Sequence, residues 1–302
     1  IKLPKKYAIL RNPSFRLFLF LICLTFGSSL KAQEYEFFGV IKLNDTSFIS
    51  YKVLFDRVND SIQGYSLTDF AGKHETKSNI KGYYHEDENL LSFEEYDIVY
   101  TKSPVVQKDF CFVNFEGKVR NLDRVKAFSG DFKGLYADGT SCLDGMIIVN
   151  SGQEVKKRVE KIDKVVQRSR KFSDSIKKNI KVAKVLDTLT RNIIAKNENL
   201  NIFTRDQKIK LAIYDAGKED GDVINLFVDD KPVLENYTVL HEIKYLEFDL
   251  KNAETKIRVE AVSEGTSSPN TVRLEVEDSR NFVRTITNLK EGEHAQMTLV
   301  KK

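Results

Sequence analysis

The chain has 302 residues, 41% hydrophobic and 30% charged, a composition that suits folded domains and excludes a disordered polyelectrolyte. Its formal net charge of +4 is unevenly spread. Residues 1–33 carry Lys2, Lys5, Lys6, Arg11, Arg16 and Lys31 and no acid, which leaves the remainder near −2 and argues against a generic nucleic-acid binder.

Taken in order, residues 1–33 have the layout of a secretory signal peptide. Basic residues come first, residues 17–26 carry no charge, and Gly27, Ser28, Ser29 and Ala32 supply small side chains near the end. The apolar run is too short for a bilayer span, which takes about 20 residues. Cleavage near Ala32 would remove Cys23 and leave Cys111 and Cys142. In an oxidising compartment an even pair suggests a disulfide; the alternative is two buried free thiols.

Residues 34–152 read as an antiparallel β-domain, either a barrel or a sandwich. Strand-like runs fall at 37–43, 47–55, 61–67, 78–84, 90–93, 96–101, 110–115, 125–128 and 146–149. Asn44-Asp45, Asn59-Asp60, Ala71-Gly72, Glu116-Gly117 and Asp138-Gly139 punctuate them as turns. Tyr51, Tyr65, Tyr83, Tyr84, Tyr96 and Tyr100 make the region rich in aromatics. These rings suit ordinary cross-strand packing, with a ligand cavity or a sugar-stacking surface as the sharper reading.

Residues 153–202 read as a basic helical connector. Val155, Val159, Ile162, Val166, Phe172, Ile176, Ile180, Ala183, Leu186, Leu189 and Ile193 recur at steps of mostly three and four. Residues 153–200 hold 14 Lys+Arg against 6 Asp+Glu. Phe172-Ser173-Asp174-Ser175 could divide the segment into two helices, since Ser and Asp are N-cap residues. Lys156, Lys157, Arg158, Lys161, Lys164, Arg168, Lys177, Lys178, Lys181 and Lys184 form a candidate contact face for an anionic partner. The plainer reading is a solvated linker that packs its apolar stripe against its neighbours.

Residues 203–302 alternate apolar and polar positions at 209–213, 224–228, 246–250, 257–261 and 272–276, and a last strand carries Ala295, Met297 and Leu299. With strands at 232–240 and 282–288, this is the pattern of an antiparallel β-sandwich of immunoglobulin-like size, without the Cys–Trp–Cys signature. The expected fold class is therefore mainly β: a barrel or sandwich, a basic helical segment and a β-sandwich.

The run from Ile213 to Asp222, then residues 223–228, Lys231-Pro232-Val233-Leu234, Asn236-Tyr237 and residues 264–271, resembles a β-module at the C-terminus of exported proteins of Bacteroidota. The resemblance covers about a third of the chain and implies a cell-envelope setting, not an activity. Asp60-Ser61-Ile62, Asp174-Ser175-Ile176 and Asp187-Thr188-Leu189 match that phylum's O-glycosylation signal, making Ser61, Ser175 and Thr188 candidate acceptors. The phylum's type IX sorting motifs are not found, so periplasmic or outer-membrane-associated residence is expected.

Chemical signals are sparse. Asp215, Glu219, Asp220 and Asp222, with Gly217 and Gly221, suggest calcium, while a solvated hairpin turn explains the same residues. Apart from calcium, no cofactor is expected. His74, His85, His241 and His294 lack zinc-ligand spacing, and no nucleophile elbow, phosphate loop or dinucleotide fingerprint occurs. The expectation is a non-enzymatic exported protein that contacts an envelope protein or a surface saccharide. The alternatives are a carrier of an apolar ligand in the first β-region and, behind it, a hydrolase with dispersed carboxylates.

Overall fold

The computed structural model describes residues 33–104, 106–173, 175, 177 and 192–302, and residues 34–302 form one compact unit. The expected signal peptide lies outside the described residues apart from Gln33; so do Lys178, Lys181, Lys184 and Thr188. The chain is mainly β.

Eight strands close a barrel: β1 (Gln33–Lys42), β2 (Phe48–Val58), β3 (Ser61–Thr68), β4 (Thr76–His85), β5 (Leu90–Thr101), β6 (Phe112–Lys118), β7 (Ala127–Leu135) and β8 (Gly145–Ser151). Each strand neighbours the next in an antiparallel meander, and β8 returns to β1 with Phe37 opposite Ser151 and Lys42 opposite Met146. Of the two expected architectures for 34–152, the barrel is the one formed. The sequence runs at 90–93 and 96–101 are one strand, because register shifts opposite Ser78 and Ile80 absorb the break in alternation. The run at 125–128 continues to Leu135; Gly130 and Gly134 alternate with Phe128 and Phe132 at its inward positions and interrupt the apolar period.

Period-two alternation sends one side of every strand into the barrel. Phe37, Tyr51, Val53, Phe55, Ile62, Ile80, Leu91, Phe93, Phe115, Ile147 and Val149 are buried there. The rings fill it: Phe93 and Phe115 lie 5.1 Å apart, Phe115 and Phe128 5.5 Å, and Phe37 and Phe128 5.0 Å. An eight-stranded barrel is just wide enough for such a filling. Glycines make the curvature. A Cβ on Gly64 or Gly82 would sit 2.0 Å from the backbone oxygen of Leu54 or Ser92, so the strands close in only where a side chain is missing.

Glu95 places a carboxylate in this interior. Glu95 is buried and accepts hydrogen bonds from the Tyr51 hydroxyl (3.1 Å), the Ser66 hydroxyl (2.5 Å) and the Val113 N–H (2.9 Å). Burial raises its carboxyl above the ordinary value of 4.5, and the three donors offset this only in part. With the folded pKa above the unfolded one, the native state binds the proton more tightly. Stability therefore falls as pH rises from about 4.5 towards the native pKa, by at most about 1.4 kcal/mol per pH unit for one proton. Chemical unfolding of Glu95→Gln across that range is expected to lack this component of the slope; an identical slope would place the titration elsewhere.

The second half of β5 keeps its pairing with β4 and on its other edge takes β10 (Asn199–Thr204), with Tyr100 opposite Ile202 and Thr101 opposite Asn201, so the barrel runs on into a continuous sheet of thirteen described strands. The remaining strands are β9 (Ile193–Ala195), β11 (Lys208–Tyr214), β12 (Asp222–Val228), β13 (Lys231–Thr238), β14 (Lys244–Asp249), β15 (Glu254–Glu264), β16 (Arg273–Glu277), β17 (Phe282–Asn288) and β18 (His294–Lys301). They fall into the orders β13-β12-β15-β18-β10 and β14-β11-β16-β17-β9. Leu211, Ile213, Leu274 and Val276 from the second order share one core with Ile224, Leu226, Ile257, Val259, Met297 and Leu299 from the first. Two pairings, β10–β18 and β9–β17, are parallel.

β9 and the first four residues of β10 fall within 153–202, the expected helical connector. Ile193 belongs to β9 and pairs with Ile286. Two adjacent β-branched residues at a sheet edge follow tertiary pairing over local period. The described helix, α1 (Gly152–Arg168), starts on a Ser151 N-cap whose side chain accepts from the Glu154 N–H, as a Ser-x-x-Glu start should. Glu154 in its first turn and Arg168 in its last complement the helix dipole.

Candidate functional site

The barrel's outer wall is the opposite of its interior. On β5 to β8, Ser92, Glu94, Asn114, Glu116, Asp131, Lys133 and Met146 alternate with the buried residues and face outward. They line an open groove of about 950 Å³, together with Lys42, Asn44 just beyond β1 and Asp144, while Leu43, Phe115, Phe132 and Leu135 add apolar surface to it. The registers set its floor as two cross-strand rows. Glu94, Asn114 and Lys133 form one row; Asp131, Met146 and Lys42 form the other.

Two exposed rings continue this wall onto β4 and β5. Tyr83 is 56% exposed, lies directly opposite Ser92, and stacks on His85 at 6.2 Å. Tyr96 is 50% exposed, with the Lys81 ammonium 5.2 Å from its ring centre. Lys81 also holds Glu94 at 3.0 Å, so it links the rings to the groove. Tyr51 and Tyr84 went inward. Strand parity separates the two sets, which sequence counts of aromatics could not do.

The disulfide buttresses one end of the groove. Cys111 and Cys142 are bonded, with Cα atoms 6.0 Å apart. They tie the start of β6 to the loop before β8, and Asp144 in that loop accepts from the Gly134 N–H at 3.2 Å. Gly134 has no room for a side chain, since a Cβ would lie 2.5 Å from the Cys111 sulfur.

The predicted cations of the connector are split. Lys156, Lys157, Arg158, Lys161, Lys164 and Arg168 are all exposed on α1, with Lys157 paired to Glu154 at 2.9 Å. Lys177 is half-buried, and its backbone oxygen accepts from Gln167. Ser61 and Ser175 are exposed, and Ser61 stands opposite Tyr83 on the adjoining strand.

The predicted calcium residues also separate. Glu219 is exposed and turned to His241, accepting from its backbone N–H. Asp215 is buried and accepts from the Gly217 N–H at 2.7 Å. Asp222 is buried at the start of β12, directly opposite Glu264 on β15, and accepts from the Thr271 N–H at 2.8 Å. Burial first, then the charges of Asp220, Asp215 and Glu264, push the Asp222 carboxyl up to about 6; the Thr271 N–H acts the other way. Among the described residues, no set of three or more His, Cys, Asp and Glu side chains converges as a metal cage.

Among the described residues, no helix is long and apolar enough to cross a membrane. The barrel interior is apolar, and on β5 to β7 the outward positions carry Glu94, Asn114, Glu116, Asp131 and Lys133. Comparison with protein-family models, curated proteins and solved structures gives no match.

Proposed function

We propose that the chain is a non-enzymatic exported binding module whose contact surface is the outer wall of the barrel, and that its ligand is a hydroxyl-rich polymer of the cell envelope, a surface saccharide. The single observation that carries this is the inversion of the barrel. Aromatic side chains fill the interior where an apolar cargo would sit, while the groove on the outer wall mixes amide, hydroxyl and carboxylate groups with apolar surface and lies beside two exposed tyrosines. Such rings cover the C–H faces of a sugar while polar groups meet its hydroxyls. The Cys111–Cys142 bond supports an oxidising compartment and so the export reading. The C-terminal strands, one layer continuous with the barrel through β5 and one a separate sheet, are then the immunoglobulin-sized sandwich that supports it.

The test is a glycan array followed by titration calorimetry on the best binder. Tyr83→Ala combined with Tyr96→Ala is expected to weaken binding at least tenfold, about 1.4 kcal/mol, with the fold retained because both rings are exposed. Array silence together with uptake of a fatty acid would favour the carrier. Cleavage of a glycan would favour the hydrolase.

A further inference from the structure

The end of the C-terminal sheets contains three side-chain oxygens with no partner. Oδ1 of Asp220, Oδ1 of Asp222 and Oδ1 of Asn270 are all buried and make no hydrogen bond. Asp222 is 1% exposed and Asn270 is 0% exposed. A buried oxygen left this way costs roughly 1–3 kcal/mol, and more for a carboxylate. Groups so placed call for an ion or an ordered water.

The surrounding contacts bring the three residues to one place. Asn270 spends its amide hydrogens on the backbone oxygens of Val223 (3.2 Å) and Ser263 (2.7 Å), which fixes its Oδ1 beside the start of β12 and the end of β15. The next residue, Thr271, donates to Oδ2 of Asp222, leaving Oδ1 of that carboxylate free. Asp220 is held two residues earlier by the Thr266 N–H on its backbone oxygen. Gly265 permits that approach: its φ is +56°, and a Cβ there would lie 2.4 Å from the Asp220 oxygen. Asp222 also faces Glu264 directly across the strands, and like charges so opposed are destabilising without a cation.

We infer that Asp220, Asp222 and Asn270 form a calcium site that ties the 215–222 turn to the 264–271 loop. The donors are all oxygen, which selects a hard cation over zinc or copper. Two carboxylates and an amide are fewer than calcium's six to eight ligands, so backbone carbonyls and water complete the shell; calcium accepts such a mixed set in flexible geometry, whereas magnesium demands near-ideal octahedral placement at shorter distances. The sequence suggested calcium here through four acids. Of these, Asp215 is turned to the Gly217 N–H and Glu219 to the His241 N–H; the orphaned oxygens keep Asp220 and Asp222 and add Asn270 from the later loop.

The experiment is thermal unfolding and calorimetric titration of the chain, first stripped with EGTA and then given calcium or magnesium at about 5 mM, a concentration that fills sites of modest affinity. Calcium is expected to raise the melting temperature by about 3–6 °C, with a smaller effect of magnesium. Asp220→Asn and Asp222→Asn are expected to abolish the shift and the binding heat, and Glu219→Gln to keep both. Asp220 is only half-buried, so its variant keeps the test readable if the Asp222 variant folds poorly. No shift and no heat with the parent chain would overturn the site, as would a shift that survives in both variants. The site lies apart from the barrel groove, so failure of one idea leaves the other standing.

Discussion

Phe115→Ala is expected to destabilise the chain by about 3–5 kcal/mol, the range for deleting a buried ring. Phe115 is 2% exposed and touches Phe93 on one side and Phe128 on the other. Its neighbours have little means of relaxing into the vacated space. Gly117 and Gly130 carry no side chain to move in, and a Cβ on either would meet the present ring at 2.6 and 2.9 Å. The loss should appear in urea unfolding as a lower midpoint with an unchanged slope. Phe48→Ala, at a ring 54% exposed, should cost within about 0.5 kcal/mol. A cost below about 1 kcal/mol at Phe115 would mean that the interior yields easily, and the filled barrel would cease to argue against an apolar cargo.

Breaking the Cys111–Cys142 bond is the second large effect. It closes a loop of 31 residues, and the chain-entropy model assigns such a loop roughly 3–4 kcal/mol. Cys111→Ser with Cys142→Ser is expected to lower the melting temperature by about 6–16 °C, taking about 2–4 °C per kcal/mol for a unit of this size. The bond also anchors the loop that carries Asp144 into the groove. Saccharide affinity should therefore fall along with stability, while the calcium response, which belongs to the far sheets, should persist. An unchanged melting temperature would show that the reduced chain holds the same loop by packing alone.

Much of this architecture is legible because side-chain alternation is a local property. A strand exposed on one face must write that fact into every second residue, so β2, β3, β4, β11, β12 and β15 can be read from their own sequence. The Ser151 to Glu154 start of α1 is equally local. In β7 the inward positions alternate Phe128, Gly130, Phe132 and Gly134, so every second apolar member of the period is missing and the strand reads shorter than it is. At Ile193 the helical period runs through a residue that β17 captures as a sheet partner. A neighbouring strand's hydrogen bonds outweigh a weak local preference.

The pairing of elements distant in sequence is written nowhere locally. Barrel closure requires β8 to meet β1 across the whole meander, and register is set by hydrophobic fit over all the strands together. That closure decides which tyrosines enter the core and which, like Tyr83 and Tyr96, border a groove. It also decides how Glu94, Asn114 and Lys133, from three strands, come into one row. Asn270 reaches the Val223 backbone, and Thr271 reaches Asp222, for the same reason, because β15 folds back beside β12. The amino-acid sequence thus determined the elements, the cysteine pair and the acidic turn. The tertiary structure alone decided the groove and the orphaned oxygens, since a surface or a ligand set is made by residues that meet only after the sheets have paired.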